Sequence, residues 1–202
     1  MKAVARFFVI LVFLFSTAHT AVAQAQLFPS PDVQNPATAS ANAFYSLGKR
    51  NILEGAEKMP AEYYTYQPTK DVRTFAQIVA HIADTQYIFC SAARNIPNPN
   101  GENLKPGQVT NTLERTLSTK AELTAALRRS FEFCDPAFAT EVSDAAWKDT
   151  VTLNNSSRPR ATPMLLELIH MWEHYGNMTT YMREKNVVPP STERVQQQQR
   201  RP

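Results

Sequence analysis

The chain has 202 residues, 43% of them hydrophobic, with 21 Lys+Arg against 18 Asp+Glu and a net charge of +3. That length and apolar content suit one packed domain and exclude whole-chain disorder; five Gly weigh against a turn-rich all-β fold, and two Cys against a disulfide scaffold or a Cys-rich zinc module. Without residues 1–23 the count is 19 basic against 18 acidic, and without 191–202 as well it is 16 against 17, so the body is near neutral and lacks the footprint of a nucleic-acid binder.

The chain opens with Lys2 and Arg6, then the apolar run FFVILVFLF at 7–15, then small residues ending Ala21-Val22-Ala23. This is the three-part pattern of a secretory signal peptide cleaved after Ala23. The rival reading, a retained anchor, meets nine apolar residues where a bilayer asks for about 20. Export predicts a secreted or periplasmic protein, with no membrane partner after cleavage, in a compartment where thiols oxidise. Residues 24–37 read as a flexible leader, 38–190 as the folded body, and 191–202 as a disordered Gln/Arg tail.

Four helices punctuate the body. The first spans 39–57, with Phe44, Leu47 and Leu53 on its apolar face. The second spans 74–94: Thr74 and Gln77 form a capping box, and Phe75, Ile78, Val79, Ile82 and Phe89 recur at helical spacing. A connection over 95–118 follows, rich in Pro and Gly. The third helix opens on a second capping box, Thr119 and Glu122, and runs to about 141 with a kink at Pro136. Residues 143–161 are irregular, with a short extended piece within 147–153. Thr162 and Pro163 predict the N-cap and first position of the fourth helix, which runs to about 185 and is expected to be the most buried. The fold class is all-α: a four-helix bundle in up-down-down-up order, with a long crossover between helices two and three.

The mature chain keeps three histidines, His81, His170 and His174, all in helices. His170 and His174 are four apart, so their rings leave one face a turn apart. His81 sits on the apolar side of helix two, 13 residues before its end at Arg94; His174 lies 11 residues after Pro163. In antiparallel helices the three rings share one level. That arrangement fits a divalent metal site with an open position; it also fits buried histidines with hydrogen-bond partners and a surface pair. Asp84 and Glu173 are candidates to hold outer ring nitrogens, against the plainer reading of solvated charges, and Asn177 is a polar-lining candidate. Cys90 lies 16 residues after Thr74 and Cys134 15 after Thr119. They are level if helices two and three run parallel, which makes Cys90–Cys134 a candidate disulfide; two buried free thiols are the alternative.

The segments RTFAQIVAHIADTQYIFC and LLELIHMWEHYGNMTTYMRE, with NVVPPST after them and EKMPAEYYTYQPT before, resemble the DinB superfamily, related to the YfiT-type metal-dependent hydrolases. The resemblance spans about residues 38–192. It implies the up-down-down-up bundle and a divalent ion, zinc or nickel, on His81, His170 and His174. It also implies chemistry on a small molecule, with a low-molecular-weight thiol as the cosubstrate of characterised relatives, and no DNA binding. Those thiol users are mostly cytosolic, a departure from the export pattern here. The expected function is an exported metal-dependent hydrolase or thiol transferase. A non-catalytic metal- or small-ligand-binding module is the alternative, and a homodimer is compatible with either.

Overall fold

The computed structural model describes residues 29–200. The signal-peptide pattern and the first part of the expected leader lie outside them. Among the described residues the chain forms six α-helices and one two-stranded hairpin. The elements are α1 (Pro36–Lys58), α2 (Phe75–Arg94), α3 (Thr112–Thr116), α4 (Lys120–Cys134), β1 (Thr150–Leu153), β2 (Ser156–Pro159), α5 (Ala161–Glu184) and α6 (Pro190–Gln199). The fold is thus mostly helical rather than purely so.

Both capping boxes are present. Thr74 accepts from the Gln77 N–H and Thr119 from that of Glu122, while each residue at the third position reaches back. Helix α2 is the central element, with both α4 and α5 packed on it. Its buried residues include Phe75, Ile78, Val79, Ile82 and Ile88, and also the polar Asp84, Thr85 and Gln86. It is more completely buried than α5, contrary to expectation. On α5 the inward stripe is Met164, Glu167, Met171, His174, Met178 and Met182, whereas Leu165 and Ile169 are exposed. The apolar residues of α5 are too many for one stripe, and hydrophobicity alone does not tell which face turns in.

Three further boundaries depart from the sequence reading. Helix α1 starts at Pro36 and buries Ala41, Tyr45, Ile52 and Ala56, while Phe44 stays largely exposed. Helix α4 stops at Cys134 and tightens into a 3-10 turn, Asp135–Phe138, where Pro136 supplies no backbone donor. Helix α5 begins one residue before Thr162, with Arg160 at the cap and no side-chain capping bond. The extended piece is real as β1, but Trp147 lies in a preceding 3-10 turn. Its partner β2 is joined through Asn154 and Asn155, both left-handed (φ 47° and 60°), the backbone that a two-residue hairpin turn requires. The expected disordered tail is helical over Pro190–Gln199. Lys58 pairs with Glu193 at 2.7 Å, Arg194 with Glu54, and the Tyr175 hydroxyl donates to Ser191 at 2.8 Å.

Side-chain contacts set the directions of neighbouring helices. His81 and Thr85 of α2 meet His170 of α5, and the Tyr181 hydroxyl reaches the Arg73 carbonyl just before α2, so this pair is antiparallel. Gly48 of α1 lies against Met171, and Gly55 against Met178, so α1 and α5 run parallel, packed closely where α1 carries no side chain. The crossover is tied down at Gly107 (φ 66°), whose N–H donates to Ser91 Oγ at 2.9 Å; a Cβ there would lie 2.9 Å from Ala92 and from Leu153. No helix among the described residues is long and apolar enough to cross a membrane.

Cys90 and Cys134 form a disulfide with Cα atoms 5.2 Å apart, closing a separation of 44 residues between α2 and the end of α4. Unreduced, denatured protein is therefore expected to show no free thiol with Ellman's reagent. Reduction should cost about 2–4 kcal/mol, measured by urea unfolding with and without reductant. Titration of two thiols without reductant would refute the bridge.

Glu167 is 1% exposed, and neither carboxylate oxygen meets a hydrogen-bond partner from the protein. Burial pushes its pKa up to about 8. Between the ordinary carboxylate range and about 8 the unfolded chain has released the proton and the folded one retains it, so stability falls as pH rises through this window. Glu167→Met should flatten that fall and gain on the order of 1–3 kcal/mol at pH 8. Urea unfolding at pH 5 and pH 8 checks it; equal pH slopes in both proteins would contradict it.

Candidate metal centre

Helices α2 and α5 bring the three imidazoles together. His81 Nε2 lies 3.1 Å from His170 Nε2, and His174 Nε2 lies 3.0 Å from the same atom. One nitrogen from each ring falls within 4.8 Å of the other two. Nitrogens held about 2.0–2.1 Å from one tetrahedral ion sit about 3.3 Å apart, so the spacing suits a shared cation. The edge of Phe89 closes on His170, with centroids 5.8 Å apart.

Outer contacts decide which way the rings present themselves. Thr85 Oγ1 donates to the His81 carbonyl at 2.9 Å and lies 3.2 Å from His170 Nδ1, where its lone pair can accept. The Asn177 side-chain Nδ2 lies 3.2 Å from His174 Nδ1 and donates to it. The Glu114 carboxylate lies 3.5 Å from His81 Nδ1. With protons on Nδ1 of His81 and His170, their two Nε2 lone pairs face each other at 3.1 Å, an arrangement that repels itself and is relieved by a cation between them.

The electrostatics also favour neutral rings. Burial lowers the His81 pKa to about 4, reinforced by Arg73 and His174 and opposed by Glu114. Burial, then the neighbouring His174 and His81, lowers that of His170 to about 3. His174 is lowered by burial, against the opposing charge of Glu173. A neutral imidazole is the form that binds a metal.

The two carboxylates singled out from the sequence sit elsewhere. Asp84 is fully buried and turns away from His81 to accept the backbone N–H groups of Leu113 and Glu114, each at 3.0 Å, and the Asn100 amide. Glu173 is exposed on the wall of the adjacent cleft and acts on His174 through its charge. Asn177 is at the site as expected. Thr85 and Glu114 escaped the sequence reading. Thr85 shared a signal, four residues after His81 on the same face; Glu114, in the crossover, had none.

A cleft of about 820 Å³ opens beside His174. Gln67, Lys70, Arg73 and Gln77 form one side, and Glu173, Asn177 and Tyr181 the other. A small organic molecule fits there, with polar and charged groups of both signs around it.

The family model for the DinB superfamily matches residues 46–178, which contain all three histidines. The chain belongs to the DinB superfamily. A DinB-like protein from Bacillus cereus ATCC 10987 superposes with a TM-score of 0.58, covering 73% of this chain and 94% of that one at 14% identity. A mycothiol-dependent maleylpyruvate isomerase gives a TM-score of 0.55 at 15% identity, covering 70% of this chain and 60% of its own length; a mutant of it gives the same values. At these identities the likeness is one of fold. No match exists among the curated proteins searched.

Metal analysis tests the centre in this DinB-superfamily chain. Protein dialysed against zinc should retain one equivalent, and His170→Ala should retain almost none, because two rings remain. Glu173→Ala should retain the full equivalent. Unchanged zinc in all three His→Ala variants would rule the centre out.

Proposed function

We propose that this is an exported, metal-dependent DinB-superfamily enzyme that acts on a small molecule, with a low-molecular-weight thiol as its cosubstrate. The observation that carries the reading is the convergence of three neutral imidazoles beside an open cleft. His81, His170 and His174 would hold the divalent ion, zinc or nickel by the chemistry of an all-nitrogen donor set. Such an ion supplies Lewis acidity and, held by neutral ligands alone, keeps its full charge for a thiol or water. The protein's part is positioning. Thr85 and Glu114 orient rings, Phe89 shields His170, and the polar cleft beside His174 receives the substrate.

A transferase or isomerase is preferred over a hydrolase because the similar fold is that of a thiol-dependent isomerase. The helix directions support the up-down-down-up bundle: α5 runs parallel to α1 and antiparallel to α2, and the Cys90–Cys134 bridge joins the C-terminal ends of α2 and α4. An oxidising compartment would preserve the same bridge, which fits the export reading.

Turnover decides the reading. Zinc- or nickel-loaded mature protein should consume a thiol in the presence of activated electrophiles or thiol adducts. Chelated protein should fall by at least about 100-fold, the scale of a lost Lewis acid. Stoichiometric metal binding with no turnover on such a panel would favour a binding module instead.

A further inference from the structure

The crossover after α2 returns over the bundle and sets the five-residue helix α3 beside the histidines. Asp84 fixes that placement. Its buried carboxylate takes the N–H groups of Leu113 and Glu114 at 3.0 Å each, which pins the backbone from which Glu114 projects. Glu114 then divides its carboxylate. Oε1 accepts from Arg73 Nε at 2.9 Å, and Oε2 faces His81 Nδ1 at 3.5 Å. Its side chain is only 14% exposed, so water competes weakly for these partners.

We infer that Glu114 is a positioning residue for His81, itself held in place by Asp84. The inference rests on the metal-centre reading above. A carboxylate oxygen facing Nδ1 is an acceptor, so it favours the His81 proton on Nδ1 and the lone pair on Nε2. Without it the ring is free to carry its proton on Nε2, 3.1 Å from His170 Nε2, and to donate there. That hydrogen bond between histidines is the competitor: it uses up the two lone pairs a cation needs. Arg73 keeps the carboxylate oriented through the second oxygen and balances its charge. The carboxylate–imidazole pair therefore joins two parts of the chain that are distant in sequence, α2 and the crossover.

The test uses the mature protein with two readouts. Nitrogen-15 NMR of the metal-free protein reports the His81 tautomer, and competition with a chromogenic chelator reports zinc affinity. Wild type should show the proton on Nδ1. Glu114→Ala should move it toward Nε2 and weaken zinc by about 10–100-fold, the scale for losing such an outer partner. Glu114→Leu, which fills the same space without an acceptor, should do likewise and decides the matter if the alanine variant unfolds. Glu114→Gln retains an acceptor oxygen and should recover most of the tautomer and affinity. Asp84→Asn should show the same loss in smaller measure, because its amide nitrogen cannot accept from the second backbone N–H. Unchanged tautomer and affinity in Glu114→Leu, with wild type binding zinc, would overturn the role of Glu114 alone. Absence of zinc binding by wild type would overturn the metal reading beneath it.

Discussion

The site exists because α2 and α5 pass each other in one register. Two imidazoles on α5 meet one on α2 only when His81 and His174 stand level, and a slip of one residue would rotate a ring by about 100° out of the seam. Polar ties at two heights hold the register: Thr85 on His170 near the middle, and Tyr181 on the Arg73 carbonyl at the mouth. The methionines of α5 pack behind this seam against α1, where Gly48 and Gly55 admit them closely. Flexible thioethers can fill irregular gaps, so the packing adapts to the register that the polar ties select.

The disulfide acts on the opposite side of α2. Cys90 ties it to α4, whose own core residues Leu123, Leu127 and Phe131 are fully or almost fully buried. Helix α2 is therefore gripped on one flank by a covalent bond and on the other by the histidine seam. This explains why it carries so many buried polar groups without loss of order: Asp84, Thr85 and Ser91 each have a defined partner. Gln86 is the exception on this helix, and Glu167 on α5 resembles it: the side-chain atoms of both meet no hydrogen-bonding partner from the protein.

Local rules were legible in the sequence, and so was the meeting of three histidines. Both capping boxes stand where their residues announced them, since a cap depends on four consecutive residues and nothing else. The proximity of the three histidines followed from counting along two helices. The identity of the outer partners did not. Asp84 looked like a companion of His81 because it lies one turn away, but the backbone of a remote loop claimed it. Glu114 is 33 positions from His81, the difference between 114 and 81, and only the path of the crossover brings them together. The face of α1 and the helical tail were misjudged for a related reason. Exposure of Phe44 and order in 190–199 depend on what packs nearby, as with Lys58 on Glu193 and Tyr175 on Ser191.

The crossover is fastened at two points, Gly107 beneath the hairpin and Leu113–Glu114 on Asp84. These moorings divide it into stretches of different character. The portion before Gly107 can lengthen or shorten as an ordinary surface loop, wherever Asn98 and Asn100 keep their bonds. The few residues between the moorings act as a measured spacer. An added residue there would carry the glutamate past its histidine while leaving bundle, bridge and imidazole seam intact, so variation in this one short span could retune the centre without remaking the fold.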